Sequence, residues 1–136
     1  MSGADAFFDT NVVLYLVSED AAKADRAEEL LAAGGVISVQ VLNEFAAVAS
    51  RKLRMSWSEI RDALSSVRAV CAVHPISAET HERALQIAER YGLSIYDALI
   101  VAAALLADCR TLYTEDMQDG QLIERQLKVR NPFAKP

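Results

Sequence analysis

Four carboxylates in this sequence occupy places where an acid could do chemistry instead of solubilising a surface. Asp9 stands in Phe7-Phe8-Asp9-Thr10-Asn11-Val12-Val13, where one apolar run stops at an acid and a second begins. The pattern predicts a buried strand giving way to a helix and sets Asp9 at the strand's carboxyl end, the edge where ligands collect in open α/β sheets. The competing assignment makes Asp9 the N-cap of the helix beginning near Asn11. Glu44, in Val41-Leu42-Asn43-Glu44-Phe45, projects onto the shoulder of an apolar stripe beside Val41 and Val48, and the residue at i+4 is Val48, not a base. An ordinary boundary Glu is its structural alternative. Asp97 follows Ser94-Ile95-Tyr96, so Ser-x-x-Asp forms a capping box for a helix that is apolar on every side from Ala98 to Ala107. Capping and chemistry are compatible here, because the helix dipole keeps such a carboxylate ionised and in one orientation. Asp116 comes just after Leu112-Tyr113-Thr114 and repeats the strand-end placement of Asp9. Asp119 either joins it or makes a turn with Gly120; the turn is the favoured reading.

Carboxylates gathered in one place raise each other's pKa unless cations intervene, so such a cluster is poor material for stability alone. An all-oxygen set suits Mg²⁺ or Mn²⁺, and Mg²⁺ binds through one or two carboxylates together with water and substrate phosphate. His74, beside Pro75, and His81, on a helix, lack ligand spacing and are read as non-ligands. Two basic stretches could grip phosphate. Arg51, Lys52 and Arg54 lie one to three turns beyond Glu44, and Arg125, Lys128, Arg130 and Lys135 make the tail basic. A solvated helix end and a solubilising tail are the alternative reading.

The elements that must position these residues follow from periodicity. Strands are expected at Phe7–Phe8, Val36–Val39, Cys71–His74 and Thr111–Thr114, with a short fifth at Leu127–Val129 on the sheet edge. Between them the sequence predicts helices over 11–17, 20–33 and 39–53, a fourth opening at Ser56 with Ile60, Leu64 and Val67 on one face, and two more over 77–91 and 94–107. Gly34-Gly35 ends the second, a Ser56/Glu59 capping box opens the fourth, and Gly92 ends the fifth, which turns Ala84, Leu85, Ile87 and Ala88 inward. Strands alternating with one or two helices indicate a parallel sheet covered by helices. At 136 residues, 52% of them apolar, the chain can build a core without staples and is expected to form one domain over 1–136. The net charge of −5 argues against a general basic field for nucleic acid, while an acidic cation site would allow a nucleic-acid enzyme. Cys71 and Cys109 fit no C-x-x-C pattern and are expected to be buried thiols. No bilayer-length apolar run and no secretory signal pattern is apparent, so a cytoplasmic address and no membrane partner are expected.

Four segments, Phe8-Asp9-Thr10-Asn11-Val12-Val13, Asn43-Glu44-Phe45, Leu93-Ser94-Ile95-Tyr96-Asp97-Ala98-Leu99-Ile100 and Leu112-Tyr113-Thr114-Glu115-Asp116-Met117-Gln118-Asp119-Gly120, occur in this order over essentially the whole chain. Together they resemble PIN-domain ribonucleases, and most closely the toxins of VapBC-type toxin–antitoxin pairs. The resemblance implies a three-layer α/β/α PIN-like domain with a central parallel sheet of four to five short strands and about seven helices. It makes Asp9, Glu44, Asp97 and Asp116 the catalytic quartet, with Asp9, Asp97 and Asp116 as metal ligands and the first two of these foremost. Thr10, Asn11, Ser94, Thr114 and Asp119 become supporting polar groups, as ligating carboxylates need. The implied activity is hydrolysis of RNA phosphodiesters by a metal-activated water, with Mg²⁺ as cofactor and Mn²⁺ an alternative. The implied partners are an RNA substrate, a VapB-like antitoxin covering the acidic site, and a second copy in a homodimer. A stand-alone RNA-processing nuclease would share this chemistry, and an inactive binding module of the same fold would lack it. The polar leader Met1 to Asp5 is a little long for such toxins. Phosphatases of the haloacid dehalogenase type need a second Asp where this chain has Asn11, and a receiver module needs an acid where the third strand ends in His74-Pro75.

Overall fold

The computed structural model describes residues 5–134. Most of the leader and Lys135 lie outside that range. Six strands form one sheet: β1 (Ala6–Phe8), β2 (Gly35–Ser38), β3 (Cys71–His74), β4 (Thr111–Tyr113), β5 (Leu122–Ile123) and β6 (Leu127–Arg130), in the spatial order β3-β2-β1-β4-β6-β5. All neighbours run parallel except β5 and β6, which are antiparallel. The expected fifth strand at Leu127 is therefore an inner strand, and the edge belongs to β5, a two-residue strand too short to leave a periodic signal.

Six α-helices complete the α/β/α architecture: α1 (Thr10–Leu14), α2 (Ala21–Ala32), α3 (Val39–Arg51), α4 (Trp57–Val70), α5 (Ala78–Tyr91) and α6 (Ile95–Leu106). The expected helix over 11–17 is split, since α1 tightens into a 3-10 turn at Tyr15–Val17. Capping side chains start α2, α4, α5 and α6 where expected, while Ser38 at the N-cap of α3 makes no such bond. Asp20 Oδ1 accepts the Lys23 N–H, and Ser56 with Glu59 forms both bonds of a capping box. Ser77 does the same for α5, with Thr80 in place of an acid.

The two adjacent glycines divide their labour. Gly34, at φ 85°, takes the left-handed turn that ends α2, whereas Gly35 is the first residue of β2. An added Cβ on Gly35 would stand 2.4 Å from Phe8 Cε2 and 2.9 Å from the Ala6 carbonyl oxygen. Neither the buried ring nor the strand backbone can retreat. We expect Gly35→Ala to destabilise the fold by about 1–3 kcal/mol, read as a lower urea midpoint at an unchanged slope.

The core runs through β1, β2, β4 and α6, with Phe7, Phe8, Ile37, Leu112 and the 100–105 stretch of α6 buried. Ala27 and Leu31 of α2 and Val41, Phe45 and Ala49 of α3 turn inward as their spacing dictates. Leu85 does not. The buried stripe of α5 is Thr80, Ala84 and Ile87, and Leu85, about 100° further round the helix, is 46% exposed. No helix among the described residues is long and apolar enough to cross a membrane. Cys71 and Cys109 are both buried.

Candidate active site

Strand order decides where the acids meet. The chain winds from β1 out to β2 and β3, then returns to place β4 on the other flank of β1, so a topological switch point lies between β1 and β4. Crevices outside the carboxyl ends of strands at such points are where open α/β sheets bind ligands. β1 and β4 are in register, Phe8 opposite Tyr113, so the residues that follow emerge side by side. Asp9 N–H still donates to the Tyr113 carbonyl at 3.0 Å, and the chain then turns into α1.

The Asp9 carboxylate is almost fully buried and held by three local donors. Oδ1 accepts the Thr10 N–H at 2.7 Å, and Oδ2 accepts the Thr114 hydroxyl at 2.8 Å and the Asn11 amide at 3.4 Å. The capping reading of Asp9 is thus correct as far as it goes, but the cap uses only one oxygen. Asn11 Nδ2 also reaches Thr114 Oγ1 and Asp116 Oδ2, each at 3.0 Å, while its Oδ1 accepts the Glu115 N–H at 3.3 Å. Thr114 Oγ1 further accepts the Asp116 N–H at 3.1 Å. Asn11 and Thr114 therefore stitch the ends of β1 and β4 together and fix Asp116 relative to Asp9.

Glu44 comes from the second turn of α3, half-buried, its Oε1 accepting the Thr10 hydroxyl at 3.0 Å. Ser94 Oγ accepts the Asp97 N–H at 3.2 Å. The reciprocal half of the expected capping box, from the Asp97 carboxylate back to Ser94, is not formed, which leaves that carboxylate for the site. Burial raises the Asp97 carboxyl above its ordinary value, and the charges of Asp116 and Glu44 raise it further. The same two charges act on Asp9, whose pKa goes from 3.8 to about 6, chiefly because burial penalises its charge and despite the hydrogen bonds from Thr114 and Thr10. Residues 9, 44, 97 and 116 thus share one electrostatic neighbourhood. The ion pairs among the described residues join Lys23 to Glu115, Arg26 to Glu29 and Arg90 to Glu124, so no base neutralises the quartet.

Some expected site residues lie elsewhere. Asp119 Oδ1 accepts the Asn131 N–H at 2.8 Å, so its carboxylate ties the turn before β5 to the chain after β6, and no hydrogen bond among the described residues joins it to the quartet. Arg51 and Lys52 close α3, and Arg54 follows with φ 53°; all three are exposed at the far end of the helix that carries Glu44. Arg125, Lys128 and Arg130 are likewise exposed. Two supporting groups escaped the sequence reading. Gln40 Nε2 donates to Glu44 Oε1 at 3.1 Å from one turn earlier on α3, a contact that the i, i+4 rule could have suggested. Glu115 accepts from the Tyr15 hydroxyl and, at 3.3 Å, from Lys23 Nζ, anchoring the Asp116 loop from its other side; no sequence pattern links those three residues.

The donor set can be tested against a divalent cation. Among the described residues no three Asp, Glu, His or Cys side chains are close enough to ligate one ion together, so the expected three-acid ligand set is not preformed. Mg²⁺ does not require one, since it commonly takes one or two carboxylates and completes its shell with water and phosphate. Four mutually repelling carboxylates, two of them with raised pKa, are the environment a cation would relieve. The residues present fit the ion.

These shifts carry a sign for stability. The folded protein holds Asp9 near 6 while the unfolded chain releases it to 3.8, so between those values the folded state binds more protons. Stability from this group is fully present below 3.8 and is lost as pH rises through about 6. Asp97, shifted in the same direction, adds to it. Without divalent cation, the wild-type melting temperature should therefore fall by a few degrees between pH 5 and pH 7, and Asp9→Asn should flatten most of that slope. Differential scanning calorimetry in EDTA checks this; equal slopes in both proteins would contradict it.

A switch-point sheet with unneutralised acids at its carboxyl edge defines an α/β protein with an acidic site at that edge. The PIN domain family profile matches residues 6–118, and the chain belongs to that family. Among solved structures it is similar to a toxin–antitoxin complex from Klebsiella pneumoniae (24% identity, TM-score 0.72, covering 94% of this chain and 98% of that one). It is also similar to VapC20 of Mycobacterium tuberculosis, a toxin that cleaves the sarcin–ricin loop (22% identity, TM-score 0.65, covering 82% and 91%). A third is VapBC2 of Rickettsia felis bound to a DNA fragment from its promoter (23% identity, TM-score 0.64, covering 93% and 97%). No curated protein sequence matches the chain.

Proposed function

We propose that this PIN-domain protein is a divalent-metal-dependent endoribonuclease and the toxin of a toxin–antitoxin pair. The observation that carries the reading is the convergence of Asp9, Glu44, Asp97 and Asp116 at the β1/β4 switch point with no ion-paired base among the described residues. Asp9, Asp97 and Asp116 are the residues that would hold Mg²⁺, or Mn²⁺, with water and substrate phosphate filling the remaining positions. When bound, the cation lowers the pKa of water and neutralises charge developing on the phosphate. The chain's own part is orientation. Thr114 and Thr10 fix the two oxygens of Asp9, Asn11 holds Asp116, and Ser94 sets the first turn of α6. Arg51, Lys52 and Arg54 supply a local cationic surface for the RNA backbone in a chain of net charge −5.

RNA as substrate is supported by the sarcin–ricin-loop cleavage named for the M. tuberculosis neighbour, and an antitoxin partner by the assemblies named for the other two. A homodimer in a cytoplasmic setting completes the reading. An apolar groove of about 400 Å³, lined by Leu16, Val17, Leu31, Phe45, Val67 and Val70 among others, is a surface that an antitoxin helix could cover. In the direct test, purified protein is incubated with RNA in Mg²⁺, in EDTA, and in EDTA followed by excess Mg²⁺ or Mn²⁺. Cleavage is expected in the first and last conditions and lost in the second. Cleavage that survives EDTA, or none in either metal, would overturn the proposal.

A further inference from the structure

Gln40 is a polar side chain almost fully buried at the start of α3, one turn before Glu44. Its Nε2 donates to Glu44 Oε1 and also, at 3.1 Å, to the backbone carbonyl of Tyr96, the residue before Asp97 in the first turn of α6. One amide group thereby spans the two helices that bring two of the four acids. The orientation of the amide is fixed by chemistry: exchanging its oxygen and nitrogen would set an acceptor against a carboxylate oxygen and a carbonyl oxygen. The remaining amide atom, Oε1, is buried without a hydrogen-bond partner, as is Ser38 Oγ two residues earlier. A buried orphan acceptor is costly, and Met or Leu would fill the same space without one. The amide is therefore better explained by what its nitrogen does than by packing.

Glu44 Oε1 receives a second donor, the Thr10 hydroxyl, so this oxygen is held from α1 by Thr10 and from its own helix by Gln40. Both donors are neutral. A Lys or Arg at position 40 would hold the carboxylate equally well but would cancel the charge the cluster presents to a cation. We propose that Gln40 is a positioning residue: it fixes Glu44 against the amino-terminal turn of α6, so that the carboxylates of Glu44 and Asp97 face a divalent cation at a set spacing without being neutralised. The assignment rests on the metal-dependent reading of the site and adds to it a residue that touches neither cation nor RNA.

Mn²⁺ binding followed by electron paramagnetic resonance on the RNA-free protein tests it, with Gln40→Met, Glu44→Gln and the double variant compared with wild type. Gln40→Met is expected to retain a cooperative melt, to weaken Mn²⁺ binding by roughly tenfold or more, and to lower kcat on RNA while leaving KM within about twofold. The double variant is expected to bind Mn²⁺ no more weakly than Glu44→Gln alone, because Gln40 acts through Glu44. In the wild type, the ¹⁵N side-chain amide resonance of Gln40 should move on Mg²⁺ addition with the same midpoint as the backbone resonance of Asp97, a readout that needs no variant. Wild-type Mn²⁺ affinity in Gln40→Met, or a Gln40 amide indifferent to Mg²⁺, would overturn the assignment. Mn²⁺ binding by a wild-type protein that cuts no RNA would instead overturn the nuclease reading, and the variant comparison would still decide the role of Gln40. A wild type that binds no Mn²⁺ would overturn both.

Discussion

Asp9→Asn should leave a folded protein that cleaves RNA at least about a hundredfold more slowly than wild type. The substitution is nearly isosteric, and its amide oxygen can keep the cap bond that starts α1. The Thr10 N–H still meets an oxygen at the Oδ1 position, whereas the Thr114 hydroxyl, which already accepts from Asn11 Nδ2 and the Asp116 N–H, loses its acceptor at the Oδ2 position. What disappears is a negative charge that is almost fully buried at the switch point and faces Asp116 and Glu44. Removing it relieves repulsion in the cation-free protein, so the variant should be at least as stable as wild type in EDTA at pH 7. Loss of activity together with equal or higher stability separates a residue that serves the reaction from one that serves the fold. Circular dichroism and an RNA cleavage assay on the same preparation check both halves, and a wild-type cleavage rate would show that Asp9 is only a helix cap.

Phe45→Ala should give the opposite pattern, a loss of stability of about 3–5 kcal/mol with chemistry spared in whatever fraction remains folded. Phe45 is completely buried and lines one groove together with Leu31 of α2, Ala63 and Val67 of α4, and Leu16 and Val17 of the 3-10 turn. That groove is already about 400 Å³, so the volume released by truncation would enlarge an open space instead of closing by small shifts. Poor collapse places the cost towards the upper part of the usual range. Urea unfolding measures it, and a change below about 1 kcal/mol would mean that α2 and α4 close over the site more readily than their packing suggests.

The comparison between Asp9 and Leu85 shows what the sequence could and could not convey. Asp9 was legible because two local rules agreed, an apolar run ending at an acid and a helix beginning just after it, and a parallel strand end leaves few places for such a side chain. Leu85 was misread because hydrophobicity alone was taken as burial; on α5 the inward stripe passes through Thr80, Ala84 and Ile87, and a capped Thr is a better guide to the buried face than an exposed Leu. The β5–β6 hairpin was half visible, since the four residues of β6 alternate buried and exposed while the two of β5 are too few to show a period.

At the site itself the acids could be found one by one, each on its own element. Their convergence at one end of the sheet was expected from strand-end placement, and the family resemblance sharpened it. The strand order that brings β4 beside β1 is a long-range property with no local signature. The same holds for the groups between elements: the Gln40 bridge to α6, the Tyr15–Glu115–Lys23 anchor beneath Asp116, and the apolar groove shared by α2, α3, α4 and the 3-10 turn. Asp97 was ambiguous in sequence because Ser-x-x-Asp reads as a complete capping box. The structure separates the two roles, with serine capping the helix and aspartate left to the cluster.

A divalent ion gripped by these side chains should touch the phosphate it helps to cleave, and sulfur substitution reads that contact directly. An RNA cut by the wild-type protein is prepared with phosphorothioate linkages and assayed in Mg²⁺ and in Mn²⁺. Sulfur is a poor ligand for hard Mg²⁺ and a better one for Mn²⁺, so the rate should drop sharply in Mg²⁺ and recover in Mn²⁺. An equal rate loss in both ions, or sulfur-containing RNA cleaved as fast as the natural polymer in Mg²⁺, would contradict a cation held by Asp9, Asp97 and Asp116 against the scissile linkage.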